Sequence, residues 1–307
     1  MSSATPKRSI IDFLQQTVSS ESPDFVNQIQ QLRQLVLTQA MPKYDEYEPL
    51  TIRGQVWKLL SGIYTLDDTE YINCKDKPYP RLEKIGKDFL RTFGDKEPII
   101  YQMRGCVDNL VRLLRVTCLI TSLQNVNYMQ GMNVLAGMFL IVMPELDSFF
   151  MLKKMILEMI PTYFGNECID GTTYGCQLVY NCIKSFDQRL YRSLSYKKFD
   201  PCCLNQRITS LSTCSGPIEE VQILWDYYLA CGCYNVVYIT AAQILMKRNL
   251  LLKSSCPKVV MSQLEEVKAK KLIFIAEMVK LQIPSKLFDQ IQIHTTSFKG
   301  NPFYKKK

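Results

Sequence analysis

Apolar residues recur along this chain at steps of three and four rather than two, the spacing that lines one face of a helix. Phe25, Ile29, Leu32, Leu35 and Val36 make the first such face. Thr51 is placed to cap a helix holding Val56, Trp57, Leu59 and Leu60, with Gly62 at its end. The same periodicity predicts helices near residues 80–92, 104–123, 129–143, 147–160, 172–192 and 202–213. Gly216 and Pro217 then open a helix that turns Val221, Leu224, Trp225, Tyr228 and Leu229 inward and closes at Gly232. Helices near 234–247, 267–281 and 285–294 finish the chain, the last introduced by Ile283 and Pro284. No repeat of roughly 20 to 50 residues is visible, so a solenoid is disfavoured. The expectation is an all-α multi-helix fold of about a dozen helices.

No glycine- and proline-rich linker separates autonomous units. The nearest thing to a boundary is the segment from Gly165 to Gly171, read as a loop joining two helical lobes. The expected organisation is a flexible N-terminus over 1–22, one domain over 23–295 with lobes meeting near 165–171, and a basic C-terminal tail over 296–307.

Composition narrows the function classes. The chain has 307 residues, 47% hydrophobic and 21% charged, the balance of a globular protein rather than a disordered one. Twelve cysteines would suggest disulfides in a secreted protein, but the opening Met1 to Arg8 is polar and lacks the apolar core of a signal peptide. The expected compartment is therefore reducing and cytoplasmic, with free thiols. Cys202-Cys203 and Cys231-Gly232-Cys233 lack zinc-knuckle spacing, and His294 is the single histidine, so no metal site is expected. That same histidine would have to be the base of any Ser-His or Cys-His catalysis, which disfavours a helical thiol hydrolase. Between Val116 and Glu145 no residue is charged, yet the most apolar part, Val134 to Met143, is half the length of a bilayer span. It reads as a buried core helix and not a transmembrane segment. The net charge of +8 gathers only at Lys7-Arg8 and Lys305 to Lys307, with no basic stripe of interleaved aromatics to suggest nucleic acid.

Two polar clusters stand out in this apolar background, Ile85 to Thr92 and Asn127 to Asn133. Burying an unpaired polar side chain is costly, so Arg91 and Gln130 call for a reason to be there. Singly, each has a bland explanation. Asp88 and Arg91 at i, i+3 suit a surface ion pair, Gln130 suits a backbone bridge, and Trp57 and Trp225 suit packing.

In order along the chain, these residues resemble the TBC domain of Rab-type GTPase-activating proteins. The marks of that family are Arg-x-x-x-Trp, Ile-x-x-Asp-x-x-Arg and Tyr-x-Gln-Gly, which read here as Arg53 to Trp57, Ile85 to Arg91 and Tyr128 to Gly131. The likeness continues through Met132 to Ala136 and Leu224-Trp225-Asp226, and covers roughly residues 30–290.

The resemblance implies a GTPase activator that is not itself a hydrolase. Arg91 would be an arginine finger and Gln130 a glutamine finger, both inserted into a small Rab- or Ras-like GTPase in its GTP form. Asp88 would hold the finger segment by a charge-assisted hydrogen bond, Tyr128 would fix the backbone at Gln130, Gly131 would allow close approach, and Thr92 would cap the neighbouring turn. Arg53, Trp57, Trp225 and Asp226 would be scaffold. No cofactor of its own is implied, since GTP and Mg²⁺ belong to the partner GTPase. Gly94, Met129 and Gln222 stand where proline, cysteine and a basic residue are common in the family.

Those differences, with Leu32 to Leu37 and Met159 to Tyr163, are similar to the checkpoint branch of the family. That branch implies a two-component activator restraining mitotic exit and septation, a scaffold subunit as second partner, and a place at spindle poles. The alternatives are a general Rab activator in vesicle trafficking and a non-catalytic GTPase-binding module.

Overall fold

The computed structural model describes residues 9–15, 22–42, 48–93, 106–165, 170–262 and 267–304. Eighteen α-helical segments and no strand are found among them. Most helices lie where the periodicity puts them. Phe25–Thr38 (α2) buries Ile29, Leu32 and Val36, and Ile52–Leu60 (α3) starts at Thr51, whose hydroxyl accepts the Gly54 N–H at 3.0 Å.

Several segments differ, each for a local reason. Within 1–22, Ile10–Leu14 (α1) is a capped helical turn that buries Ile10 and Phe13, where a flexible leader was expected. Thr69–Cys74 (α4), Arg248–Lys253 and Pro257–Ser262 are extra helices of six residues, too short to display a period. The helix expected over 172–192 is two, Asp170–Phe186 and Gln188–Tyr196. Between them the Asp187 carboxylate accepts the Leu190 N–H at 2.9 Å and the Arg248 guanidinium at 2.5 Å. The helix expected over 202–213 is cut to Asn205–Thr209, because Leu211 and Ser212 turn left-handed at φ 47° and 65°. Glu145–Lys154 runs on into a π-turn over Met155–Met159. Residues 166–169 of the expected lobe junction, Gly94, and the basic Lys7-Arg8 and Lys305 to Lys307 lie outside the described residues.

At the centre of the N-terminal half is Met132–Val142, every residue of which is buried. It packs on Cys106–Thr121, on α3 and on Leu82–Phe89 (α5). A helix enclosed on all sides needs no polar face, which accounts for the uncharged run in the sequence. In the C-terminal half, Asp170–Phe186 packs against Val236–Met246, itself covered by Ala269–Gln282. No helix among the described residues is long and apolar enough to cross a membrane.

Ile218–Cys231 ties the halves together by packing on α2, α3 and Ala269–Gln282. At that seam Trp57 and Trp225 stack with ring centroids 5.4 Å apart, and Phe139 meets Trp225 edge-on at 5.2 Å. The Asp226 carboxylate accepts Arg53 Nε at 3.1 Å and the Trp57 indole N–H at 2.7 Å, while Arg53 Nη1 donates to Gln222 at 2.7 Å. This part-buried ion pair locks α3 to Ile218–Cys231, the kind of place expected for scaffold residues.

Candidate functional site

The site begins at the C-terminal end of α5. Ile85 is fully buried and pins the helix to the core, so the residues three and six positions on emerge progressively: Asp88 half-buried, Arg91 exposed. Beyond the helix the chain turns sharply. The N–H groups of Arg91 and Thr92 donate to the carbonyls of Asp88 and Phe89, both at 3.0 Å, and Phe93 adopts a left-handed φ of 62°. That turn lays the Phe93 ring on Met132–Val142 at Gly137, where a Cβ would sit 2.8 Å from ring carbon Cε2. Any larger residue at 137 would force the Phe93 ring to shift.

The second segment reaches the same place from Cys106–Thr121. Tyr128 is 3% exposed, its N–H donating to the Tyr79 hydroxyl at 2.9 Å and its own hydroxyl to Asp88 Oδ2 at 2.9 Å. Burial first, then the negative charge of Asp88, pushes the Tyr128 phenol far above its ordinary range, so it remains the donor. Gln130 follows, exposed, and then Gly131 at φ 108°. A Cβ on Gly131 would lie 2.9 Å from Thr209 Cγ2, so the turn presses directly on Asn205–Thr209.

Arg91 and Gln130 therefore open onto the same groove. With Asp88, Gly131 and Asn133 they line one cavity of about 570 Å³, together with Asn205, Gln206, Thr209 and Ser210. Among the described residues neither the Arg91 guanidinium nor the Gln130 amide has a hydrogen bond or ion pair, whereas the polar groups around them are paired. A permanent cation with five donors and an amide that both donates and accepts are left facing solvent.

The supporting residues act through particular bonds. The donor to Asp88 is Tyr128, so its carboxylate couples the arginine helix to the glutamine segment. Thr92 is buried and donates its hydroxyl to the Asp88 carbonyl at 3.1 Å, closing the end of α5 rather than starting a turn. Arg53, Trp57, Trp225 and Asp226 are not in the groove. Sequence reasoning assigned no role to Asn133 or to Tyr79, and the one signal available was a polar Asn133 at the head of an apolar run.

The remaining reactive groups are elsewhere or inert. His294 is buried, with Nδ1 on the Ile291 carbonyl at 2.5 Å and Nε2 on the Tyr163 hydroxyl at 2.8 Å; burial lowers its pKa to about 4. It does not reach solvent as a base. Cys214 is the thiol at the groove, and burial raises its pKa, the opposite of an activated nucleophile.

The described helices follow the architecture of Rab-GAP domains. The Ypt/Rab-GAP domain of Gyp1p superposes with a TM-score of 0.67 at 17% identity, covering 89% of this chain and 98% of that one. The Chlamydomonas flagellar RabGAP TBC domain gives 0.57 at 16% identity, covering 92% and 86%. The Rab-GTPase-TBC domain model matches residues 50–253, and the chain belongs to that family. Similar proteins include a candidate mitotic check point protein BUB2 of Dictyostelium discoideum, 30% identical over 89% of this chain and 76% of its own length. Cell division control protein 16 of Schizosaccharomyces pombe is 26% identical, covering 91% and 92%, and mitotic check point protein BUB2 of Saccharomyces cerevisiae is 27% identical, covering 87% and 92%.

Proposed function

We propose that this chain is a GTPase-activating protein that inserts Arg91 and Gln130 into the active site of a small Rab- or Ras-like GTPase. The observation that carries the reading is their shared groove, with both side chains exposed and neither engaged inside the protein among the described residues. Hydrolysis of GTP needs positive charge where the phosphoryl group transfers and an amide to orient the attacking water. Arg91 supplies the first as a planar fork that matches phosphate oxygens. Gln130 supplies the second. Nucleotide and Mg²⁺ arrive with the partner, and the chain contributes side chains rather than a reaction of its own. Incubating the purified chain with a panel of GTP-loaded small GTPases tests this. Acceleration of at least one, by an amount in the range of roughly 10³ to 10⁵ known for arginine fingers, is the expected result. Nucleotide-dependent binding with no acceleration of any would point to a non-catalytic module instead.

The pathway reading extends to the mitotic checkpoint, as the catalytic subunit of a two-component activator that works with a scaffold protein at spindle poles. Its support is the checkpoint and cell-division names of relatives that align along most of the chain. Affinity purification from mitotic cells is expected to recover a small GTPase together with a scaffold. Recovery of vesicle-traffic GTPases alone would favour a trafficking activator.

A further inference from the structure

We infer that Asn133 is the positioning residue that sets the distance between the two finger side chains, an assignment that rests on the reading of Arg91 and Gln130 above. Asn133 is 4% exposed, and its side-chain amide makes three hydrogen bonds, two as donor and one as acceptor. Its Oδ1 accepts the Gly131 N–H at 3.1 Å, which fixes the peptide unit immediately after Gln130. Its Nδ2 donates to the Thr92 side-chain hydroxyl oxygen at 3.0 Å and to the Asp88 backbone carbonyl at 3.3 Å, one group after Arg91 and one before it. One planar amide thus holds both finger segments, which are otherwise joined at Asp88 and Tyr128. Its own backbone is inside Met132–Val142, a helix with every residue buried, so the clamp is mounted on the core rather than on a loop.

The chemistry requires an amide. An aspartate of the same shape would keep an acceptor for Gly131 but lose both donors, and would set a negative charge against the Asp88 carbonyl and the Thr92 oxygen. Alanine would remove all three bonds and leave the Tyr128–Asp88 bond to join the two segments. Each finger would keep its identity and exposure, but the pair would no longer be held at a fixed separation, and a displacement of about 1 Å is enough to cost roughly 100-fold in a positioned reaction. Ground-state recognition of the GTPase draws on a surface wider than the fingers and is left intact.

The test uses the full chain and the GTPase that the wild type accelerates best. Single-turnover hydrolysis is measured against activator concentration for wild type, Asn133→Ala, Asn133→Asp, Thr92→Ser and Thr92→Val, with the melting temperature of each. The expected result is a plateau rate at least about tenfold lower for both Asn133 variants, with the half-saturating concentration within about twofold of wild type. Thr92→Ser, which keeps the acceptor, should match wild type, and Thr92→Val should fall between. Complex formation with the GTPase bound to GDP and aluminium fluoride should weaken in step with the plateau. A wild-type plateau in Asn133→Ala overturns the inference while leaving Arg91 and Gln130 in their roles, provided Arg91→Ala is inactive in the same assay. Parallel loss of saturation and folding, with the plateau unchanged among folded molecules, assigns Asn133 to the scaffold and also overturns it. If wild type accelerates no GTPase, the function itself fails first.

Discussion

Asp226 shows what a single buried residue demands. Its side chain is 9% exposed and holds Arg53 and the Trp57 indole at once, while burial pushes its pKa up against the lowering influence of those two donors. Removing one partner of such a pair strands the other charge, so Arg53→Ala is expected to cost about 3 to 5 kcal/mol at neutral pH, read from a shifted urea midpoint at unchanged slope. The loss should shrink on acidification, because a carboxyl with a raised folded pKa binds its proton in the native state before the unfolded chain does. A loss below about 1 kcal/mol would mean that the seam does not depend on the pair. His294 carries the opposite sign. Its folded pKa of about 4 lies below the 6.5 of an ordinary histidine, so the unfolded chain takes up a proton first and stability falls as pH drops from 6.5 toward 4. Between pH 7.5 and 5 this group alone should remove about 2 kcal/mol, at roughly 1.4 kcal/mol per unit. Denaturation of wild type and His294→Gln at both values checks it, and equal pH slopes would contradict a buried neutral imidazole.

At the scale of elements, the turn before Met132–Val142 is the sensitive one. Gly131 combines φ 108° with a Cβ direction blocked by Thr209, so Gly131→Ala should cost about 1 to 3 kcal/mol and displace Gln130. The expected readings are a lower denaturation midpoint and a stimulated GTPase rate reduced more than tenfold below the midpoint. Wild-type values for both would show that the turn relaxes freely. The longer helices were legible in the sequence because three or more turns repeat their apolar spacing, as α2 and Ile218–Cys231 do. Ile10–Leu14, Thr69–Cys74 and Arg248–Lys253 hold too few turns for a period to register. The break at Asp187 was hidden for another reason: one of the groups that captures its carboxylate, Arg248, lies 61 residues away. Arg91 and Gln130 were readable from motif likeness, whereas the bonds of Asn133 to Asp88 and Thr92 span 45 and 41 residues and leave no local trace.

For the molecule as a whole, the core carries the two segments from which Arg91 and Gln130 project. Met132–Val142 mounts the glutamine turn, receives Phe93 at Gly137 and anchors the clamp on α5, while Ile218–Cys231 braces α3 against the other half through the tryptophan stack. The result is a polar cavity lined by a cation and an amide that have no partner among the described residues, the pair that the proposed function directs at another protein's phosphate. The most direct measurement is single-turnover GTP hydrolysis by the responsive GTPase with wild type and with Arg91→Lys. Lysine keeps the charge but loses the planar fork, so the account predicts that stimulation collapses by a factor of about 10³ or more while the variant stays folded. Equal rates for the two proteins would contradict it.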